Sequence, residues 1–402
     1  MIREMKTITD SGKIEELLSR GVEKIYPGKE ELRKILVSGK RLRLYQGFDP
    51  TGTKLHLGHM VGLRKLAAWQ EMGHEVIFLI GDGTGQAGDP SGKTSAREKF
   101  HTRQELRENA KNYIEEVSPI LKFDGKNPAK VLYNGDWLNE ALLNILNIAE
   151  HFSLSQLAER DLFQERIKKG GTVNMKEFLY PLLQGYDSVH MDVDLEIGGS
   201  DQTFNMLCGR TLLKSMKGKE KFVMTTPLLA DKSGRKIGKT EGNIIALDDA
   251  PGELFGKIMA LPDEVIVQCF ECLTTAPMEK VRSVAKAISL GDNPMVHKKE
   301  LAEEIVRELN NDHAAKEAAA EFSATFQKRE TPEDMPEVLG KGSLIETFVA
   351  ADIVSSKTEF RRLIQEGAIE NLEARASVEN VNERAVSGTR YKIGKKRFVR
   401  IK

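Results

Sequence analysis

Two histidines three residues apart, His56 and His59, stand in the string His56-Leu57-Gly58-His59, directly after a strand pattern and the turn-rich Asp49-Pro50-Thr51-Gly52. At a helix start the free backbone N–H groups and the helix dipole favour anions. An i, i+3 spacing puts both rings on one face, where each can donate to a phosphate oxygen. Gly58 lets a flat ring approach the backbone. On these residues alone, two incidental surface histidines explain the string equally well.

The stretch from Ala87 to Thr94, AGDPSGKT, satisfies a relaxed phosphate-loop pattern behind a buried strand. Asp89 would put a carboxylate inside an anion nest, however, and Pro90 lacks an N–H the nest needs. Asp89 is better used on a cation such as an amino-acid ammonium, with Lys93 and Arg97 facing phosphate or carboxylate nearby. Tyr180, Gln184 and Asp187 fall at i, i+4 and i+7 of a mostly apolar helical pattern. The stripe lacks the Lys/Glu content of an exposed face, which favours the lining of a polar pocket over a solvated surface. In Gly198-Gly199-Ser200-Asp201-Gln202 the acid can accept from ribose hydroxyls where the glycines admit the sugar. Asp231 to Gly242, DKSGRKIGKTEG, is glycine-rich and basic, the composition of a loop that closes cations over a polyphosphate. A bare solvated loop is the alternative for each of these last two. Cys269 and Cys272 form a lone C-x-x-C in an amphipathic helical pattern and read as small core residues rather than half a zinc site.

Elements must hold these groups. Strand patterns lie at Arg43–Gly47, Glu75–Ile80, Lys130–Tyr133 and Phe222–Thr225, with helical patterns between them. Asp10 to Leu36 reads as helical, and Leu106 to Leu121 as one helix behind a Thr102/Glu105 capping box. Alternation of this kind implies an α/β fold, a Rossmann-like doubly wound sheet that is mainly parallel. Such sheets bind ligands beyond the carboxyl ends of their strands, so the site loops are those after Gln46, Ile80, Tyr133 and Ile197. The expected division is 1–247 for this domain, 248–327 for an α-helical domain, 328–342 for a linker and 343–402 for a small α+β unit with a basic end. Lys and Arg total 60 against 60 Asp and Glu, so nucleic acid would meet local basic surface rather than a polycation. No run approaches the roughly 18 apolar residues of a membrane span. Three cysteines form no disulfide framework, and Met1–Lys13 lacks an apolar h-region; both suit the cytoplasm.

Taken together the strings resemble a family. H-L-G-H resembles the HIGH signature of class I aminoacyl-tRNA synthetases, and Lys236 to Thr240, K-I-G-K-T, their KMSKS loop. Gly47 to Thr51 (G-F-D-P-T), G-D-P-S-G-K, Leu183 to Asp187 (L-Q-G-Y-D) and I-G-G-S-D-Q are similar to bacterial-type tyrosyl-tRNA synthetases. After Ser343 the chain resembles the alpha-L RNA-binding motif. The resemblance implies ATP-dependent activation of L-tyrosine and its transfer to tRNA(Tyr), in a homodimer, with Mg2+ accompanying ATP and no dedicated metal cluster. By that resemblance Thr51, His56 and His59 stabilise the phosphates in the transition state. Lys93, Arg97, Lys236, Lys239 and Thr240 hold the departing pyrophosphate. Gly47, Asp49, Gly58, Gly199, Asp201, Lys239 and the backbone near Leu229 bind ATP. Asp89, Tyr180 and Gln184 bind the ammonium, Gln202 lies near the carboxylate, and Tyr45 and Asp187 hydrogen-bond the phenol.

The terminal module departs from the motif, with Asn371-Leu372-Glu373 in place of the usual V-N-G. Tryptophanyl-tRNA synthetase shares the fold and both signatures, but an indole offers a single N–H donor to the Tyr45/Asp187 pair. An RNA-binding protein on a retired synthetase scaffold would not be expected to keep H-x-G-H with Lys236 and Lys239.

Overall fold

Six strands make the first sheet: β1 (Lys24–Tyr26), β2 (Arg43–Phe48), β3 (Glu75–Ile80), β4 (Lys130–Tyr133), β5 (Leu195–Gly199) and β6 (Phe222–Thr226). The computed structural model describes residues 6–91, 100–139, 142–158, 160–231, 236–237, 239–240, 243–324, 335–351, 353–374, 376–394 and 397–402. They fall into two compact units, 1–321 and 322–402.

The strand order is β1-β6-β5-β2-β3-β4, parallel except for β1, which runs antiparallel to β6. Val76 to Ile80 of β3 are all buried, which is why that run carries no polar alternation. From β2 the chain winds one way through β3 and β4, then returns to build β5 and β6 on the other side. The strand order therefore reverses between β2 and β5, whose carboxyl ends, at Phe48 and Gly199, leave a crevice. Beyond the sheet, β7 (Lys239–Thr240) and β8 (Asn243–Ile244) pair antiparallel with each other.

Two helical expectations change. Asp10 to Leu36 is not one helix: Ser11–Leu17 and Lys29–Val37 are helical, with β1 between them. Gly21 at φ +57° turns the chain and Pro27 has no N–H to continue a helix. The Leu106–Leu121 pattern is likewise split, into Arg103–Asn109 and Tyr113–Val117. The Thr102/Glu105 capping box is present.

Helices Pro251–Met259, Ile266–Leu273, Met278–Ser289, Pro294–Leu309 and Asp312–Phe322 follow the sheet. Cys269 and Cys272 are buried and free, and burial pushes the Cys272 thiol up to about 12. Helix Met175–Met191 packs along helix Thr203–Lys217 at a point where both lack side chains. A Cβ on Gly185 would stand 2.9 Å from Leu212 Cδ1 and 3.1 Å from the Gly209 nitrogen.

The second unit has its own sheet. Inside the stretch expected as linker, 328–342, Glu337–Val338 form β9, which pairs with β13 (Arg397–Ile401) of the expected module. β10 (Ile369–Asn371), β11 (Ala376–Ser377) and β12 (Arg390–Ile393) complete the order β11-β10-β12-β13-β9. Helices Leu344–Ala350 and Lys357–Gln365 start at Ser343 and Ser356, whose hydroxyls accept the Glu346 and Glu359 N–H groups. Phe348, Phe360, Tyr391 and Ile393 form the core. The arginines of its basic end are paired within the unit: Arg390 with Glu373 at 2.6 Å, Arg397 with Glu359 at 3.2 Å and Arg400 with Glu337 at 3.6 Å.

Candidate active site

A cavity of about 330 Å³ occupies the crevice between β2 and β5. It is lined from β2 and its turn by Tyr45, Gly47, Asp49 and Thr51, and from helix Leu57–Glu71 by Gly58 and His59. The other wall carries Asp89, then Tyr180, Gln184 and Asp187 from the striped helix, then Gly199, Asp201 and Gln202 after β5. Leu229 and Lys236 also reach it. Residues that the sequence strings place far apart thus share one space.

One end is dry and polar. Asp187 is fully buried; its Oδ1 accepts from Trp137 Nε1 at 2.8 Å and its Oδ2 from Asn134 Nδ2 at 2.9 Å. Burial pushes this carboxyl well above the usual range, against the pull of those two donors. Tyr45, also buried, has its hydroxyl 3.0 Å from Ser188 Oγ. Burial and the nearby Glu196 and Asp187 charges raise its phenol well above the ordinary value. The site therefore holds a neutral Tyr45 beside an acid fixed by two donors.

Carboxylates crowd the middle. Asp49 accepts from Tyr180 OH at 2.8 Å and from Thr84 Oγ1 at 2.6 Å. Asp89 accepts from Gln202 Nε2 at 2.7 Å and from the Ser91 N–H at 2.9 Å. Gln184 donates to Glu196 Oε1 at 2.9 Å, while its own buried Oε1 has no partner among the described residues. Carboxylates retain lone pairs after two such bonds, and an unpaired amide oxygen is an acceptor waiting for a donor. A cation with several N–H groups fits this environment.

The other end faces phosphate chemistry. His56 caps helix Leu57–Glu71: its Nδ1 accepts the Gly58 N–H at 3.2 Å, and His59 Nδ1 accepts the His56 N–H at 3.1 Å. With both Nδ1 atoms accepting, each neutral ring carries its proton on Nε2. The rings stack with centroids 3.8 Å apart. A Cβ on Gly58 would stand 3.1 Å from the His56 ring. Asn109 and Tyr113 hold the turn carrying Thr51 through the Pro50 and Gly52 carbonyls, at 2.9 and 2.7 Å. Lys236 bonds Asp201 at 2.6 Å. A Cβ on Gly199 would come within 2.8 Å of Asp201 Oδ1 and 3.0 Å of Leu228 Cδ2. The Leu229 carbonyl accepts the Ile237 N–H at 2.7 Å and so ties the start of the basic loop to its return.

Lys93 and Arg97 lie outside the described residues. Lys239 and Thr240 are described in backbone only, as β7. Asn134, Trp137, Thr84, Ser188, Glu196 and Lys221 were not singled out by the sequence. Asn134 follows β4 directly, in a loop that the strand-end rule had marked. Glu196 was visible as a lone charge between Leu195 and Ile197 in a buried strand.

The family model described as tRNA synthetases class I (W and Y) matches residues 38–327. A tyrosine–tRNA ligase of Dehalococcoides mccartyi is 39% identical over 393 residues, covering 96% of this chain and 98% of its own. That of Haemophilus influenzae is 37% identical over 401 residues, 98% of each chain. This chain belongs to the tyrosine–tRNA ligases. Among solved structures, a C-terminally truncated mitochondrial tyrosyl-tRNA synthetase of Aspergillus nidulans superposes with a TM-score of 0.67 at 22% identity, over 78% of this chain and 94% of that one. A tyrosyl-tRNA synthetase of Archaeoglobus fulgidus, solved with L-tyrosine, gives 0.60 at 22%, over 77% and 99%. At these identities the likeness establishes the ligase fold. The tryptophanyl alternative shares the family model, but both bacterial relatives are tyrosine–tRNA ligases and match along nearly their whole length.

Proposed function

We propose that this tyrosine–tRNA ligase performs adenylate chemistry in the crevice between β2 and β5. The observation that carries this reading is the two-ended cavity, with Tyr45 and Asp187 at one end and the His56/His59 helix start at the other. The phenol of tyrosine meets Tyr45 and Asp187; its ammonium meets Asp89, Tyr180 and Gln184; Gln202 lies by its carboxylate. A carboxylate oxygen then attacks the α-phosphorus of ATP in line, and the α–β bridging bond breaks to release pyrophosphate. Thr51, His56 and His59, with Lys93, Arg97, Lys236, Lys239 and Thr240, stabilise charge as it develops on the phosphates. Gly47, Asp49, Gly58, Gly199, Asp201 and Leu229 seat the nucleotide. A ribose hydroxyl at the end of tRNA finally attacks the tyrosyl carbonyl and AMP leaves. Binding and orientation supply the rest. Mg2+ enters with ATP; among the described residues no group of three or more His, Cys, Asp or Glu could hold a metal ion.

The adenylate groups all precede residue 247, the helical stretch 248–327 faces the anticodon side, and 343–402 binds RNA. The enzyme works in the cytoplasm as a homodimer. Among the described residues no helix is long and apolar enough to cross a membrane. Pyrophosphate exchange with each amino acid tests the reading: exchange with tyrosine alone is expected. No exchange with any amino acid would favour the retired-scaffold reading instead.

A further inference from the structure

Behind Tyr45 lies a buried ion pair that the adenylate chemistry does not use. Lys221 and Glu196 are 0 and 1% exposed and in direct contact. Charges taken so far from water are weak contributors to stability, so their presence beside a substrate cavity calls for another reason. The sheet register explains how they meet. Tyr45 of β2 pairs with Glu196 of β5, and Glu196 with Val223 of β6. Paired residues in parallel strands share a face, and Lys221, two residues before Val223, returns to that face. A Cβ on Gly209 would stand 2.6 Å from the Lys221 ammonium and 2.8 Å from Ser188 Oγ, so glycine there makes room for both.

The hydrogen bonds of this cluster have a direction. An ammonium has donors and no lone pair. Lys221 therefore donates to Ser188 Oγ, 2.8 Å away, and occupies one of its lone pairs. The Ser188 proton has two acceptors in reach: the Tyr45 oxygen at 3.0 Å and Glu196 Oε2 at 3.4 Å. The longer distance lies outside the normal O–H···O range, and Glu196 Oε2 is already held by Lys221. Ser188 donates to Tyr45. With the Tyr45 oxygen accepting there, its own proton is left to Glu196 or to an acceptor in the cavity, and a phenol oxygen arriving beside Asp187 is such an acceptor.

We propose that Lys221, Glu196 and Ser188 are positioning residues that set Tyr45 as a hydrogen-bond donor to the substrate phenol. The inference rests on the reading that Tyr45 and Asp187 meet that phenol. A continuous chain then runs from ammonium to carboxyl: Lys221 to Ser188, Ser188 to Tyr45, Tyr45 to the phenol oxygen, and the phenol proton to Asp187. Bonds aligned head to tail polarise one another in a dry site. Tyrosine completes the chain; phenylalanine leaves a buried donor and a buried acceptor facing each other unpaired. Glu196 has a second task, holding Gln184 through its other oxygen at 2.9 Å.

The test compares tyrosine and phenylalanine in pyrophosphate exchange with the full-length enzyme. Ser188→Ala cuts the chain and leaves the ion pair. The double variant Lys221→Met/Glu196→Gln removes both charges together, so no lone charge is stranded, and keeps an acceptor for Gln184. Circular dichroism and melting curves establish that each variant folds. Each should lower the tyrosine-to-phenylalanine ratio of kcat/KM on the order of 10-fold, the worth of one buried hydrogen bond. The loss should fall on tyrosine, with the KM for ATP held, and the triple variant should lose no more than either parent. Tyr45→Phe is the reference. If it lowers the ratio while the other variants do not, the relay is wrong and the phenol pocket stands. Equal losses for both amino acids, or losses that multiply in the triple variant, overturn the relay as well. If Tyr45→Phe leaves the ratio unchanged, the pocket assignment fails and the relay with it.

Discussion

Asp187 concentrates the selectivity argument in one side chain. With both oxygens held by Trp137 and Asn134, it is an acceptor fixed in place. Asp187→Ala should depress tyrosine activation severely and narrow the preference over phenylalanine, read as kcat/KM for each in pyrophosphate exchange. The tyrosyl enzyme's rejection of phenylalanine is a known instance of such discrimination and sets the expectation here. An unchanged preference in the folded variant would take Asp187 out of the pocket. Lys236 acts at another moment. Its ammonium rests on Asp201 Oδ2, at the nucleotide end of the cavity. Lys236→Ala should slow adenylate formation on the order of 10²-fold, with no rise in the KM for tyrosine or ATP. A parallel rise in tyrosine KM would make the loop structural. Glu116 is a third case. Its carboxylate receives the Leu55 N–H at 2.7 Å, one residue before His56, and burial raises it from 4.5 to about 7. Between those values the folded chain keeps a proton that the unfolded chain has released. The stability it contributes is complete below about pH 4.5 and is lost as pH rises through about 7. Glu116→Gln should therefore melt higher than the parent above pH 7 and alike below 4.5, in thermal melts across that window. A constant difference across the window would remove Glu116 from the pH response.

At the scale of elements, the sequence was most legible where burial on both faces leaves a bare apolar run. β3 begins and ends at the expected residues for that reason; β4 does so too, although none of its residues is fully buried. β1 escaped because three residues at a sheet edge carry no period of their own. The Tyr180/Gln184/Asp187 stripe was visible because helical spacing alone puts it on one face, and the His56/His59 pair as a helix start, where His56 is the extended cap that stacks on His59. The pairing of Lys221 with Glu196 was not: they are 25 residues apart, and only the register of two parallel strands joins them. Trp137 and Asn134 were missed because they sit in a single helical turn, Gly135–Leu138, and at its cap, a segment too short for a periodic pattern to say which side chains point inward. Gly185 is a poor helix former by sequence, and only its neighbour Gly209 explains it. The close approach of the two helices at Gly185 and Gly209 makes a direct prediction. Gly185→Val forces side-chain atoms into Leu212 and the Gly209 backbone and should cost about 1–3 kcal/mol, seen as a lowered melting temperature. A variant as stable as the parent would mean that the helices separate freely.

At the scale of the whole molecule, the chain falls into two compact units, 1–321 and 322–402. All groups assigned to adenylate chemistry lie in the first unit. A chain ended after Glu321 should still exchange pyrophosphate with tyrosine but charge tRNA poorly, through lost tRNA affinity. Exchange and aminoacylation, measured side by side at two salt concentrations, check this. Charging at the full-length rate would remove the RNA role from the second unit, whereas loss of exchange would make that unit part of the catalytic structure. The second unit carries 12 Lys and Arg against 8 Asp and Glu over 343–402. Arg390, Arg397 and Arg400 nevertheless each rest on a glutamate of the same unit. A phosphate arriving there displaces a carboxylate rather than a cloud of small ions. Such an exchange releases fewer counterions per contact than a bare basic strand would. Flexible polyanions gain little from it. An RNA whose backbone is already folded to match the spacing of these guanidiniums gains from every one, so the unit would select for shape before it responds to charge.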